Sequence, residues 1–175
     1  NNFLAAIHFS KDNLGAAFLD VSTGEFFVAE GPKYYIEKLV AGFNPSEILF
    51  ERSQKNHFKE VFGNKYHTYH LENWAFQHEF GYESLTRHFK TQSLKGFGIE
   101  DHTLAVIAAG AALQYVSDTQ HDRIHHISQL SRIDGNDHVW LDRFTQRNLE
   151  LFGTSNEGGK SLLNVLDSTI TPMGS

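Results

Sequence analysis

Phe3-Leu4-Ala5-Ala6-Ile7-His8-Phe9-Ser10, the turn Lys11-Asp12-Asn13 and the run from Gly15 to Val21 decide the fold of this chain. The first stretch begins apolar at consecutive positions, so a strand there is expected to be buried on both faces. From Gly15 onward the pattern alternates, with Ala17, Leu19 and Val21 on one face. Ser22-Thr23-Gly24 then turns the chain into a third extended run, Glu25 to Glu30. Connections this short join antiparallel neighbours, and they predict a three-stranded meander.

Beyond the meander the period changes. Pro32 stands where a helix would begin, and Ile36, Leu39, Val40 and Phe43 make one apolar stripe that ends at Asn44-Pro45. Ile48-Leu49-Phe50 reads as a buried parallel strand. Ser53 is a candidate cap for a helix with the stripe Phe58, Val61 and Phe62, stopped by Gly63-Asn64. Tyr66 to Leu71 supplies a fifth strand, and Asn73 to Phe89 one or two short helices. After Gly96-Phe97-Gly98 a helix capped by Asp101 runs to about Thr119. Its Ala108-Ala109-Gly110-Ala111-Ala112 patch permits close backbone approach. This order, three antiparallel strands followed by parallel strands through helical crossovers, predicts an α/β fold of the ribonuclease H-like class, a mixed sheet with flanking helices.

The character shifts near Gln120, the predicted domain boundary: residues 1–120 form one domain, and 121–175 begin a second, mainly helical segment that is incomplete. In that segment Asp134-Gly135-Asn136-Asp137 leads to an extended piece at His138 to Leu141. A helix capped by Asp142 follows, carrying Leu141, Phe144, Asn148, Leu151 and Phe152 on one stripe. Asn148 is polar in an apolar row and is the candidate junction residue, its amide holding a neighbouring loop or helix end. The absence of an initiator Met at Asn1 and the helix start at Thr171-Pro172 suggest a piece of a longer protein.

The length of 175 residues accommodates one domain and part of another, and 40% hydrophobic with 13% aromatic residues supplies a core. With no Cys there are no disulfides, thiolate zinc sites or Cys nucleophiles. The net charge is -6, with ten basic against fourteen acidic residues up to Gln120 and five against seven beyond it. Neither part has the basic excess of an autonomous nucleic-acid binder. No signal peptide or membrane span is legible.

Four chemical signals in the sequence each have a simpler reading. Gly153 to Ser161 resembles a phosphate-binding loop, but five residues separate Gly153 from Gly159-Lys160-Ser161, and a helix pattern precedes it. A two-metal nuclease, the alternative activity for this fold class, would draw on Glu37 and Glu51. The first strand offers no acid, however, and Asp20 reads as a solvated strand-end charge. His121, Asp122, His125 and His126 have metal-ligand spacing only if helical, and His67 and His70 would point to opposite faces of a strand. Lys55, Lys59 and Lys65 lie near Phe58, Phe62 and Tyr66, but Glu51 and Glu60 interrupt them; Arg143 and Arg147 pair more simply with Glu150.

The segments Asp142-Arg143-Phe144-Thr145-Gln146-Arg147-Asn148-Leu149-Glu150-Leu151 and Leu162-Leu163-Asn164-Val165-Leu166-Asp167-Ser168-Thr169-Ile170-Thr171-Pro172-Met173-Gly174-Ser175 resemble the start of the core, or lever, domain of the bacterial MutS mismatch-repair family. Gly96-Phe97-Gly98-Ile99-Glu100, the Ala-Ala-Gly helix, Leu113-Gln114-Tyr115 and Asp118-Thr119-Gln120 are similar to the end of its connector domain. Leu19 to Gly24 and Asn44-Pro45-Ser46-Glu47 resemble earlier parts of that domain. The resemblance implies a connector without catalysis that relays conformational change between an ATPase and a mismatch-reading part. It also implies partners in the full-length protein: MutL, mismatched duplex DNA and a second copy in a homodimer. ATP and Mg are implied cofactors of the full-length family, with none held by this piece, and a cytoplasmic location is implied. The MutL-docking surface corresponds by position to Glu83 and Ser84, and the stretch from Gln120 to Gly135 to a hinge. A free-standing interaction domain is the further alternative.

Overall fold

In the computed structural model, residues 2–134 are described. Strands β1 (Phe3–Phe9), β2 (Asn13–Asp20) and β3 (Phe26–Pro32) form the expected meander. Helix α1 (Lys33–Phe43) leads to β4 (Glu47–Glu51), and α2 (Lys55–Phe62) to β5 (Thr68–Leu71). A 3₁₀ turn at Asn73–Phe76 precedes α3 (His78–Phe89), then comes α4 (Thr103–Thr119), and Ser131–Arg132 adds a short β6. The sheet order is β5-β4-β1-β2-β3-β6. β1 pairs antiparallel with β2, from Phe3 opposite Asp20 to Phe9 opposite Leu14, and parallel with β4, from Leu4 opposite Glu47 to Ile7 opposite Phe50. This is the mixed α/β sheet that the element order predicts.

The period of two along β1 divides the core by size. Phe3, Ala5, Ile7 and Phe9 face α1 and α2, where Phe43 stacks on Phe18 at 4.0 Å and meets the edge of Phe3 at 4.9 Å. Leu4 and Ala6 face α4, in one cluster with Ala17, Leu19, Val28 and the small-residue run of that helix. Small side chains on both sides bring backbones together: a Cβ on Gly15 would lie 2.1 Å from the Leu104 carbonyl oxygen. α3 crosses α4 equally closely, and a Cβ on Gly110 would lie 2.4 Å from Gly81 Cα. The Ala-Ala-Gly patch therefore does what its composition predicts.

Two expected caps are not used. α4 is preceded by His102 without a side-chain cap; the Ala105 N–H in its first turn donates instead to Glu30 Oε1, 75 positions away on β3, at 3.0 Å. α2 starts at Lys55 after Gln54 with no side-chain cap, and Ser53 sits in the 3₁₀ turn Arg52–Gln54 that precedes it. The helix stops follow expectation. Asn44 takes a left-handed conformation (φ 47) and its N–H returns to Val40 O at 2.8 Å, while Gly63 (φ 72) closes α2 on Lys59 O.

The stretch after Gln120 joins the same sheet. Arg132 stands opposite Val28, the Ile133 N–H donates to Val28 O at 2.8 Å, and Ile127 and Leu130 are buried. The described residues, 2–134, belong to one compact unit. The extended piece at His138 to Leu141, the Asp142 helix, Arg143, Arg147, Asn148, Glu150 and the Gly153 to Ser161 loop lie outside the described residues.

Candidate docking surface

α3 is positioned by what it buries. Leu85 is fully buried, Gly81 lies against the α4 backbone, and the Tyr82 hydroxyl donates to the Glu100 carboxylate at 2.9 Å, tying the helix to the loop before α4. With that face fixed, the neighbours Glu83 and Ser84 part company. Glu83 is exposed, whereas Ser84 is 9% exposed and lines a pocket of about 170 Å³ with Arg87, His88, Leu113, Gln114, Ser117 and Ile124. His88 Nε2 lies 2.7 Å from Ile127 O, linking the end of α3 to the segment leaving α4. The surface offered is thus a carboxylate on a ridge beside a shallow cleft with a basic wall.

Asp20 departs from expectation. It is fully buried and is no solvated strand-end charge. Its Oδ1 accepts from Ser22 Oγ at 2.7 Å and from the N–H groups of Ser22 and Thr23 at 3.0 and 3.4 Å, and its Oδ2 accepts from the Asn2 N–H at 3.3 Å. Burial pushes this carboxyl up. The Ser22 hydroxyl and the three N–H donors outweigh burial and hold it below the ordinary aspartate value. The same turn receives the chain beyond α4, since His126 Nε2 contacts Val21 O and a Cβ on Gly24 would lie 2.7 Å from His126 O. One hairpin turn thus fastens both the first described residue and the segment after α4. The signal was present in sequence, as Asp20 with Ser22-Thr23-Gly24 beginning two positions on is the composition of an Asx turn.

The remaining candidates do not converge. Glu51 lies at the carboxyl end of β4, beside His8 at 3.5 Å, and Phe76 stacks on the His8 ring. Burial pushes the His8 imidazole down and the Glu51 carboxyl up, although the Ser53 hydroxyl opposes the latter. Asp20 stands opposite Phe3, at the other end of β1, and Glu37 rides on α1 across the sheet. Among the described residues no three His, Asp or Glu side chains are grouped to hold one metal ion. His121 to His126 begin as a 3₁₀ turn rather than a helix, and His67 pairs with Glu47 at 3.4 Å. Phe58 and Phe62 are core residues, leaving Lys65 over the Tyr66 ring at 5.2 Å as the only cation-aromatic pair of that stretch. Sequence reasoning also missed Glu47, which accepts from the Tyr115 hydroxyl at 2.9 Å; burial and then this carboxylate push Tyr115 up to about 12.

Residues 2–128 match the family described as MutS domain II. The chain is 52% identical over 174 residues to the DNA mismatch repair protein MutS of Cytophaga hutchinsonii. It is 53% identical to that of Bacteroides thetaiotaomicron and 51% identical to that of Flavobacterium psychrophilum, again over 174 residues. Each comparison covers 99% of this chain but 20% of the relative, so the chain spans about a fifth of the length of these proteins. With most of its length matched by the domain and nearly all of it by the relatives, the chain belongs to the MutS family of DNA mismatch repair proteins and contains its domain II.

Proposed function

We propose that this domain is a non-enzymatic relay in a MutS protein, carrying conformational change between an ATPase and a mismatch-binding part located elsewhere in the molecule. The observation that carries the reading is the Asp20 turn. Asn2 is held by the Asp20 carboxylate and His126 by Val21 O, so segments at both ends of the α/β body are fastened at one place. A displacement delivered to one segment then reaches the other through the part-buried hydrogen bonds of this turn and the His126 contact at its surface.

In the same reading the ridge at Glu83, with the Ser84 cleft beside it, docks MutL when the full-length protein changes state. Mismatched duplex DNA and a second MutS copy are engaged by other parts, and ATP with Mg is held outside the described residues. The acidic balance of the chain is consistent with a piece that does not itself grip DNA. Location in the cytoplasm belongs to the same proposal; among the described residues no helix is long and apolar enough to cross a membrane.

The test is made in full-length MutS. Glu83→Arg is expected to weaken MutL recruitment to mismatch-bound protein without changing mismatch affinity. Unchanged recruitment would remove the docking assignment while leaving the relay standing.

A further inference from the structure

We propose that the free edge of β5 is a docking site for an extended acidic segment of a partner protein, which adds to the sheet as a further strand. Among the described residues β5 is the outermost strand on its side, and Thr68, Tyr69 and His70 are all exposed. The Ile48 N–H donates to His67 O at 2.9 Å, with Ile48 opposite Thr68. In a parallel pair of that register Tyr69 spends its N–H and C=O on β4, while Thr68 and His70 turn theirs outward. Sheet edges are normally blunted by Lys, Pro or a bulge, and Thr68-Tyr69-His70-Leu71 carries neither Lys nor Pro. Its side chains are adhesive instead. Tyr69 is 51% exposed and Trp74, just beyond the strand, 53%; with Tyr34 these are the exposed large apolar side chains of the described residues.

Charge selects the occupant. From Arg52 to His70 the chain holds Arg52, Lys55, Lys59 and Lys65 against Glu60 alone, together with His57, His67 and His70, a local reversal in a chain of net charge -6. Glu72 pairs with Arg52 at 3.0 Å, Glu47 is shared by Tyr115 and His67, and Glu51 lies beside His8, so Lys55, Lys59 and Lys65 are the cations that make up the border. A strand bearing carboxylates meets both the outward backbone groups and this basic border. Four residues offer a short ladder, so the aromatic contacts and the charges must supply the rest of the affinity.

The test uses the whole chain and a fluorescein-labelled eight-residue peptide of alternating valine and glutamate, read by anisotropy, with a valine-lysine peptide as control. The acidic peptide is expected to bind, and the lysine version at least about tenfold more weakly. His70→Pro removes an outward N–H and none of the ladder to β4, a place where an edge strand tolerates proline. It should cost about tenfold in affinity at unchanged circular dichroism. Should that variant not fold, the charge reversal Lys55→Glu with Lys65→Glu, both on exposed positions, is expected to give a similar loss. Equal binding of the two peptides, no binding at millimolar peptide, or full affinity in a folded His70→Pro or in the charge-reversed variant would overturn the proposal. A concentration-dependent dimer abolished by His70→Pro would assign the edge to a second copy of the chain and overturn it as well.

Discussion

Glu30 on β3 caps α4 from outside that helix: its carboxylate accepts the Ala105 N–H at 3.0 Å. The first turn of α4 contains no acid of its own and no side-chain cap. The carboxylate therefore satisfies an otherwise orphaned donor and faces the positive end of the helix dipole. Glu30→Ala is expected to lower unfolding stability by about 1 kcal/mol, the usual worth of a lost cap, measured by urea denaturation at neutral pH. Glu30→Gln should recover part of the loss, since its amide oxygen still accepts.

The contact explains what the sequence allowed and what it hid. Strand and helix positions were legible because β1, β2 and α1 carry their apolar periods openly, and the small residues of α4 announced the tight packing at Gly110. Caps were misassigned because Asp101 and Ser53 are good local candidates, whereas Glu30 acts across 75 positions. Asp20 was misread for a related reason: its local composition described a turn, but the Asn2 segment that meets its carboxylate lies 18 positions away. Likewise Glu83 and Ser84 are adjacent in sequence, yet one full helix face separates solvent from the α4 contact.

Tight helix packing gives a second expectation. Gly110→Ala places a Cβ 2.4 Å from Gly81 Cα, a backbone atom that cannot rotate away. Destabilisation of about 1 to 3 kcal/mol should follow despite the better helix propensity of Ala. Gly96→Ala, where nothing lies within 4 Å, is the matched control and should leave the thermal midpoint nearly unchanged.

Asp20 predicts a pH dependence. Burial raises its pKa, but the Ser22 hydroxyl and the N–H donors bring it below the ordinary value of 3.8, so the folded state binds the proton more weakly than the unfolded chain. The associated stability is fully present above about 3.8 and is lost as pH falls through the lower folded value. Asp20→Asn should cost about 2 kcal/mol at neutral pH, the scale of hydrogen bonds to a charged group, and flatten the acid limb of a stability–pH curve.

Tyr115 titrates in the opposite sense. Burial and the Glu47 carboxylate push it up to about 12, so its stabilising contribution is present below the ordinary value of 10.0 and is lost as pH rises through about 12. An ultraviolet titration of Tyr115→Phe should lack a tyrosine that ionises near 12 in the parent chain. The variant should be less stable at neutral pH by about 1 kcal/mol for the lost hydrogen bond.

The relay itself is tested most directly by Asp20→Ala in full-length MutS, with ATP-driven release from a mismatch and amide exchange followed on the same protein. Loss of protection at Asn2, Ser22 and Thr23, with slowed release and retained ATP hydrolysis, is the result the account predicts. Normal ATP-driven release from a variant whose turn exchanges freely would contradict it.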